Sequence, residues 1–237
     1  WAGTRDLIAK QLEIEAIAKY VRDGMRVLDA GCGNGVTAIE LARRFDVSIL
    51  GVDYSKEMIA GALAAVSGDL KGSVTFEVQD LLTWAPDEAF DLVYTERALI
   101  NLLDWKTQAD AIRRLVALLK PGGRYVMCEN SQDGLDFVNS LRGEVGLSPI
   151  VPPWHNRYLR DAEVYALGAQ LAMREGLAAI EEVSDYSGPY YLLSRVVNAA
   201  LANEGDEEPD YDSPVNRLAF KLPAIRGLRG QGRVWVW

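Results

Sequence analysis

The stretch VLDAGCGNG, residues 27–35, sets three alternating glycines and one carboxylate directly after an apolar run. Glycines at that spacing serve a backbone that turns through positive φ or passes very close to a neighbouring group, because glycine alone does so without steric cost. An apolar strand that enters such a loop and leaves as a helix belongs to an alternating α/β layer.

The rest of the first half keeps that alternation. Residues 4–23 repeat apolar side chains at Ile8, Leu12, Ala16 and Tyr20 and at Ile14, Ile17 and Val21, which predicts an amphipathic helix. Strands are expected at 26–30, 47–53, 73–78, 90–95 and 124–129. Helices are expected at 36–45, at 55–66 with Ser55 as N-cap, and at 105–119 with Asp104 as cap; KPGG, 120–123, reads as a turn. After Glu129 the pattern loosens: a short helix and then an irregular Pro- and aromatic-rich stretch over 131–159, a helix at 161–175, a strand at 177–187, and a helix around 190–202. An acidic loop, 203–214, reads as a solvated connection, and GRVWVW, 232–237, alternates like a closing strand. Strands alternating with helices predict a mostly parallel sheet with right-handed crossovers.

A chain of 237 residues with 49% apolar content buries one sizeable core, so a single domain over 1–237 is expected. The formal net charge of -9 opposes a phosphate backbone, so no nucleic-acid partner is expected. No run of eighteen apolar residues exists, and the first residues lack the regions of a signal peptide, which predicts a soluble chain with no membrane partner. Cys32 and Cys128 read as buried free thiols, in keeping with a cytoplasmic location. With two cysteines and one histidine, no metal site is expected.

In an open parallel sheet, ligands sit beyond the carboxyl ends of the strands, at the point where connections leave to opposite faces. Asp29, Asp53 and Asp80 fall at three such ends. The dinucleotide fingerprint fails here, because Val36 stands where its last glycine belongs. A pyrophosphate would sit poorly beside Asp29, whereas a ligand carrying an ammonium and a sulfonium would be attracted.

DAGCGNG resembles the D/E-x-G-x-G-x-G loop of class I S-adenosylmethionine-dependent methyltransferases. The similarity continues through Asp53, Gln79-Asp80, FDLVY and LLKPGGRYVM, over roughly 25–130 and the final strand. It implies a Rossmann-like, seven-stranded, mostly parallel sheet with helices on both faces and an antiparallel last strand, with lid insertions at 131–160 and 188–231 on the acceptor side. It implies S-adenosyl-L-methionine as cofactor. Carried over by position, Gly31, Gly33 and Gly35 let the backbone approach the methionine part, and Asp29 organises the ammonium directly or through water. Asp53 accepts two ribose hydroxyls, as a carboxylate can. Asp80 accepts from the adenine amine and the Leu81 N–H donates to a ring nitrogen, while Tyr54 and Met58 either flank adenine or pack in the core. Glu96 and Arg97 fall where methyl transfer occurs.

Methyl transfer needs alignment above all, and a hydroxyl acceptor also needs a base. His155 is the only histidine; it lies in the variable stretch after the fifth strand, as a base or as a structural residue. Trp154, Asn156, Arg157, Tyr158, Tyr190 and Tyr191 are the acceptor-contacting candidates, with lid packing as the other reading of the aromatics and ion pairing as that of the arginines. The expected activity is methylation of a small-molecule acceptor, a sugar- or natural-product-like hydroxyl. N-methylation of a small amine and non-catalytic binding of the cofactor are the alternatives.

Overall fold

The computed structural model describes residues 6–174, 176–204 and 209–237. Its strands are β1 (Arg26–Ala30), β2 (Ser48–Asp53), β3 (Ser73–Val78), β4 (Phe90–Glu96), β5 (Leu119–Asn130), β6 (Glu182–Ser184) and β7 (Gly232–Val236). They form one sheet in the order β3-β2-β1-β4-β5-β7-β6. The pairs among β1 to β5 are parallel, and β7 runs antiparallel to both β5 and β6. The connections reverse between β1 and β4, which places the switch point at the carboxyl ends of those two strands.

Alternate strand residues feed two cores. Val27, Ile49, Tyr94, Val126 and Val234 pack under α1 (Leu7–Ala18), α2 (Val36–Arg44) and α3 (Lys56–Ala65). Leu28, Val52, Val93, Met127 and Trp235 pack under α4 (Trp105–Ala117) and α6 (Asp161–Arg174). Burial on both faces explains why these strands read as continuous apolar runs.

Several elements differ from the sequence reading. The first helix ends at Ala18 instead of continuing to 23, because the chain turns through Gly24 at φ +84° to enter β1; residues 4 and 5 of that expected helix lie outside the described residues. KPGG does not precede β5 but bulges out within it, since β4 partners jump from Leu119 to Arg124 while β4 advances from Phe90 to Leu92. The strand expected at 177–187 shrinks to Glu182–Ser184, the stretch that pairs with β7 at the sheet edge. The short helix expected after Glu129 is α5 (Gln132–Glu144), capped by Ser131. The helix expected around 190–202 is compound: α7 (Gly188–Tyr191), a π-helical segment over Leu192–Val197, and α8 (Asn198–Glu204). A further short helix, α9 (Pro214–Ala219), follows, and 205–208 of the acidic loop lie outside the described residues. No helix among the described residues is long and apolar enough to cross a membrane.

Candidate functional site

The loop after β1 is built for close approach. Gly31, Gly33 and Gly35 all have positive φ, at +85°, +53° and +74°. A Cβ at Gly31 would fall 2.4 Å from the Ala98 Cβ, and one at Gly35 would fall 2.5 Å from the Phe76 ring. Gly33 faces open space. Two glycines are therefore fixed by protein packing, while at the middle one a side chain would meet no neighbouring atom. Gly35 also begins α2 without a side-chain cap, leaving the helix's first N–H groups for other acceptors.

Asp53 ties this loop to the end of β2. One carboxylate oxygen accepts the Gly33 N–H at 2.9 Å and the other accepts the Ser55 N–H at 2.9 Å. Each oxygen keeps a second acceptor position. Ser55 caps α3 by accepting the Met58 N–H, and Asp80, exposed after β3, accepts the Leu82 N–H at 2.9 Å. Tyr54 is exposed, Met58 and Leu81 are half-buried, and all three lie on the β2–β3 side of the loop.

Asp29 is buried opposite Gly51 of β2 and Tyr94 of β4. Burial pushes its carboxyl up to about 7; the Tyr94 hydroxyl opposes the shift, Glu96 and Asp53 add to it, and Lys10 works against it. Glu96, at the end of β4, accepts from Lys10 and from the Thr37 hydroxyl. Burial alone would raise Glu96, but Lys10, Glu13 and Thr37 hold it at about 2. Glu13 moves the opposite way: burial lifts it well above the carboxylate range against the pull of Arg97, whose Nε lies 3.2 Å from Glu13 Oε1. The two buried carboxyls are thus pushed in opposite directions, Glu96 held ionised by Lys10 and Glu13 raised by burial against Arg97.

Arg97 has φ +51°, the only described non-glycine residue in the left-handed region. Such a conformation persists where its surroundings fix it. Its N–H donates to Cys128 O, and the chain after it is held by Glu129, whose Oε1 accepts the N–H groups of Ala98 and Leu99 at 3.0 Å each.

On the other side of β4, a concavity of about 440 Å³ is lined by Trp154, Asn156, Arg157 and Tyr158 together with Gln132 and Arg160, among others. Arg157 also pairs with Glu163 and donates to Gln108. Asn156 bonds Asn101 just beyond β4. Trp154 is 88% exposed, and the exposed His155 meets it edge-on at 5.4 Å between ring centroids. Tyr190 and Tyr191 are buried, Tyr190 donating to Asp6. The structure thus gathers Asp29, the three glycines, Asp53 and Glu96 around the switch point; it puts Trp154, Asn156, Arg157 and Tyr158 in a separate outer concavity, leaves His155 exposed beside it, and puts Tyr190 and Tyr191 in the packing beneath α1.

Sequence reasoning missed Lys10, Glu13 and Thr37. Lys10 and Glu13 continue the helical stripe Ile14, Ile17, Val21 with charge instead of carbon. A charged pair one turn apart on the buried face of an amphipathic helix was the available signal.

Residues 27–123 match the family model described as a methyltransferase domain. Over that stretch the chain is similar to methyltransferase domains. Among curated relatives, phosphoethanolamine N-methyltransferase 3 of Arabidopsis thaliana is 37% identical over 110 residues, covering 46% of this chain and 22% of that protein. The 27-O-demethylrifamycin SV methyltransferase of Amycolatopsis mediterranei is 36% identical over 110 residues, covering 45% of this chain and 39% of that protein. The chain thus spans well under half the length of these relatives. Among solved structures, the [4+2]-cyclase SpnF superposes with a TM-score of 0.62 at 21% identity, covering 99% of this chain and 82% of that one.

Proposed function

We propose that this chain is an S-adenosylmethionine-dependent methyltransferase acting on a small molecule, with a sugar- or natural-product-like hydroxyl as acceptor. The glycine loop carries the reading: a side chain at Gly33 would meet no neighbouring atom, and its N–H is fixed by Asp53. These residues fit the cofactor, which when bound supplies an activated methyl group. Gly31, Gly33 and Gly35 would lie along its methionine part, Asp29 would face the ammonium, and Asp53 would take the ribose hydroxyls on its remaining lone pairs. Tyr54 and Met58 would flank the adenine, and Asp80 and the Leu81 N–H would read its edge. Alignment of the acceptor supplies most of the rate.

The segments 131–160 and 188–231 form the acceptor side within one domain. Trp154, Asn156, Arg157 and Tyr158 line the outer concavity and would contact the acceptor; Arg97, Tyr190 and Tyr191, proposed as further acceptor contacts, do not line it and would have to be reached by movement of the surrounding segments. His155 is the base for a hydroxyl acceptor in this reading, and the 147–160 loop must turn its exposed ring inward to serve. A nitrogen acceptor is the second reading, supported by the phosphoethanolamine relative. The likeness to a [4+2]-cyclase shows that the fold does not fix the reaction.

Calorimetry with S-adenosylmethionine and its demethylated product tests the cofactor. Asp53→Ala should weaken binding by about 1–3 kcal/mol, and tight NAD binding with no response to S-adenosylmethionine overturns the reading. Incubation with methyl-labelled cofactor and pooled metabolites, followed by mass spectrometry of the products, identifies the acceptor atom. With that acceptor in hand, His155→Ala should slow transfer about a hundredfold while sparing cofactor affinity; near-native turnover removes His155 as base.

A further inference from the structure

Glu129 stands at the carboxyl end of β5, one of the strand ends where the sequence places the ligand, is 1% exposed, and has no role assigned to it there. Its Oε1 accepts both the Ala98 and the Leu99 N–H, while its Oε2 is buried without a hydrogen-bond partner. The turn it grips is unusual on its own account. Arg97 enters it at φ +51°, the Asn101 amide donates back to the carbonyls of Arg97 and Ala98, and Ala98 presses its methyl group into the space a side chain at Gly31 would need.

We propose that Glu129 is a positioning residue for the cofactor cleft: its carboxyl fixes the turn after β4, and through Ala98 and Arg97 that turn sets both the glycine loop and the charged groups at the switch point. The proposal rests on reading the glycine loop as the cofactor's seat. Without the two N–H bonds, Arg97 keeps its own bonds to Cys128 O and from the Asn101 amide, but Ala98 and Leu99 lose theirs, and the contact of Ala98 with Gly31 relaxes.

Few charges face Glu129. Thr95 of β4 and the buried, neutral Tyr125 and Cys128 of β5 are its neighbours, and Arg233, opposite it on β7, is engaged by Asp161 and Asp185. Burial pushes the Glu129 carboxyl up to about 7, with the Leu99 and Ala98 N–H groups and Thr95 opposing. Opening the turn hydrates the carboxyl and returns it toward the ordinary range. By linkage the closed turn holds its proton more tightly than the open one, so opening becomes easier as pH rises through about 7.

Amide hydrogen exchange on the cofactor-free protein reads this directly. After correction for intrinsic exchange, Ala98 and Leu99 should open at least about tenfold more at pH 8.5 than at pH 5.5. Glu129→Gln keeps a carbonyl for both N–H groups but cannot ionise, so its exchange at these amides should be independent of pH and its affinity for S-adenosylhomocysteine should stay within about threefold of native. Glu129→Leu leaves the two donors unpaired and should weaken that affinity about tenfold or more. Wild-type amides indifferent to pH, or a Gln variant with the same pH dependence as the wild type, overturn the proposal whether or not the Leu variant folds. If no form binds S-adenosylhomocysteine but the exchange results hold, the cofactor reading fails while the grip of Glu129 on the turn stands.

Discussion

Asp29 carries the sharpest consequence at the scale of single residues. Its buried carboxyl sits at about 7 because burial outweighs the Tyr94 hydroxyl and Lys10. A ligand ammonium placed there favours the ionised form, so binding removes a proton whenever the pH lies below that value. Affinity for S-adenosylmethionine should therefore rise as pH is raised from 6 to 8, with protons released on binding at the lower pH. Calorimetry in buffers of different ionisation enthalpy measures both, and Asp29→Asn should flatten the profile. An affinity independent of pH in the wild type places the ammonium elsewhere. Asp29, the glycines and Asp53 were legible because their roles are local: a strand end, a loop, and a carboxylate two residues before a helix cap. Lys10 and Glu96 were not paired in advance, since 86 positions separate them and only the docking of α1 over β4 brings them together.

That docking is the main event at the scale of elements. α1 is held at its first turn by Asp6, which accepts from Tyr190 and from Arg195 across 184 and 189 positions. The Arg195 guanidinium is itself stacked among Tyr190, Tyr191 and Tyr211, with centroid distances of 5.8, 5.1 and 4.5 Å. The second half of the sequence shows no periodicity that announces this: the π-helical turn at 192–197 breaks the 3.6-residue repeat just where Arg195 must reach α1. Removing one partner of a buried ion pair leaves the other uncompensated, so Arg195→Met should cost about 3–5 kcal/mol. Urea unfolding measures it, and a loss below 1 kcal/mol would make the clasp incidental. The two lid segments should also differ. Exchange should be fast over 147–160, where Val151, Trp154 and His155 are exposed, and slow over 188–199, which this clasp and the packing of Tyr190 and Tyr191 hold shut. Equal protection of the two without ligand would contradict the distinction.

For the whole molecule, the sheet order and the two cores follow from runs that the sequence displays plainly, while the edge does not. β6 keeps three residues because one side of it has no partner strand, and β7 supplies its register through Val234 to Val236. The cost of assembling a polar cleft inside this sheet appears in the pH dependence of folding. Asp29 and Glu129 both rise to about 7 in the folded protein from ordinary values of 3.8 and 4.5, burial being the cause in each. Between those limits the folded chain binds more protons than the unfolded one, so these groups make stability fall as pH rises from about 4 to about 7. Glu96 works in the opposite sense, its folded value of about 2 contributing stability above about 4.5 that is lost as pH falls toward 2. From these groups the cofactor-free protein should therefore be most stable on the acidic side of neutrality, at about pH 4, with a melting temperature several degrees lower at pH 8 than at pH 5. The double variant Asp29→Asn, Glu129→Gln should lose most of that decline. Saturating S-adenosylmethionine should shrink the slope in the wild type toward the part due to Glu129, because the bound ammonium supplies Asp29 with the counter-charge the folded chain lacks there. Melting curves at pH 5 and 8 with and without the cofactor decide it, and a wild-type protein whose stability rises steadily through this range, with the double variant following it, would show that burial at the switch point does not control the titration of the fold.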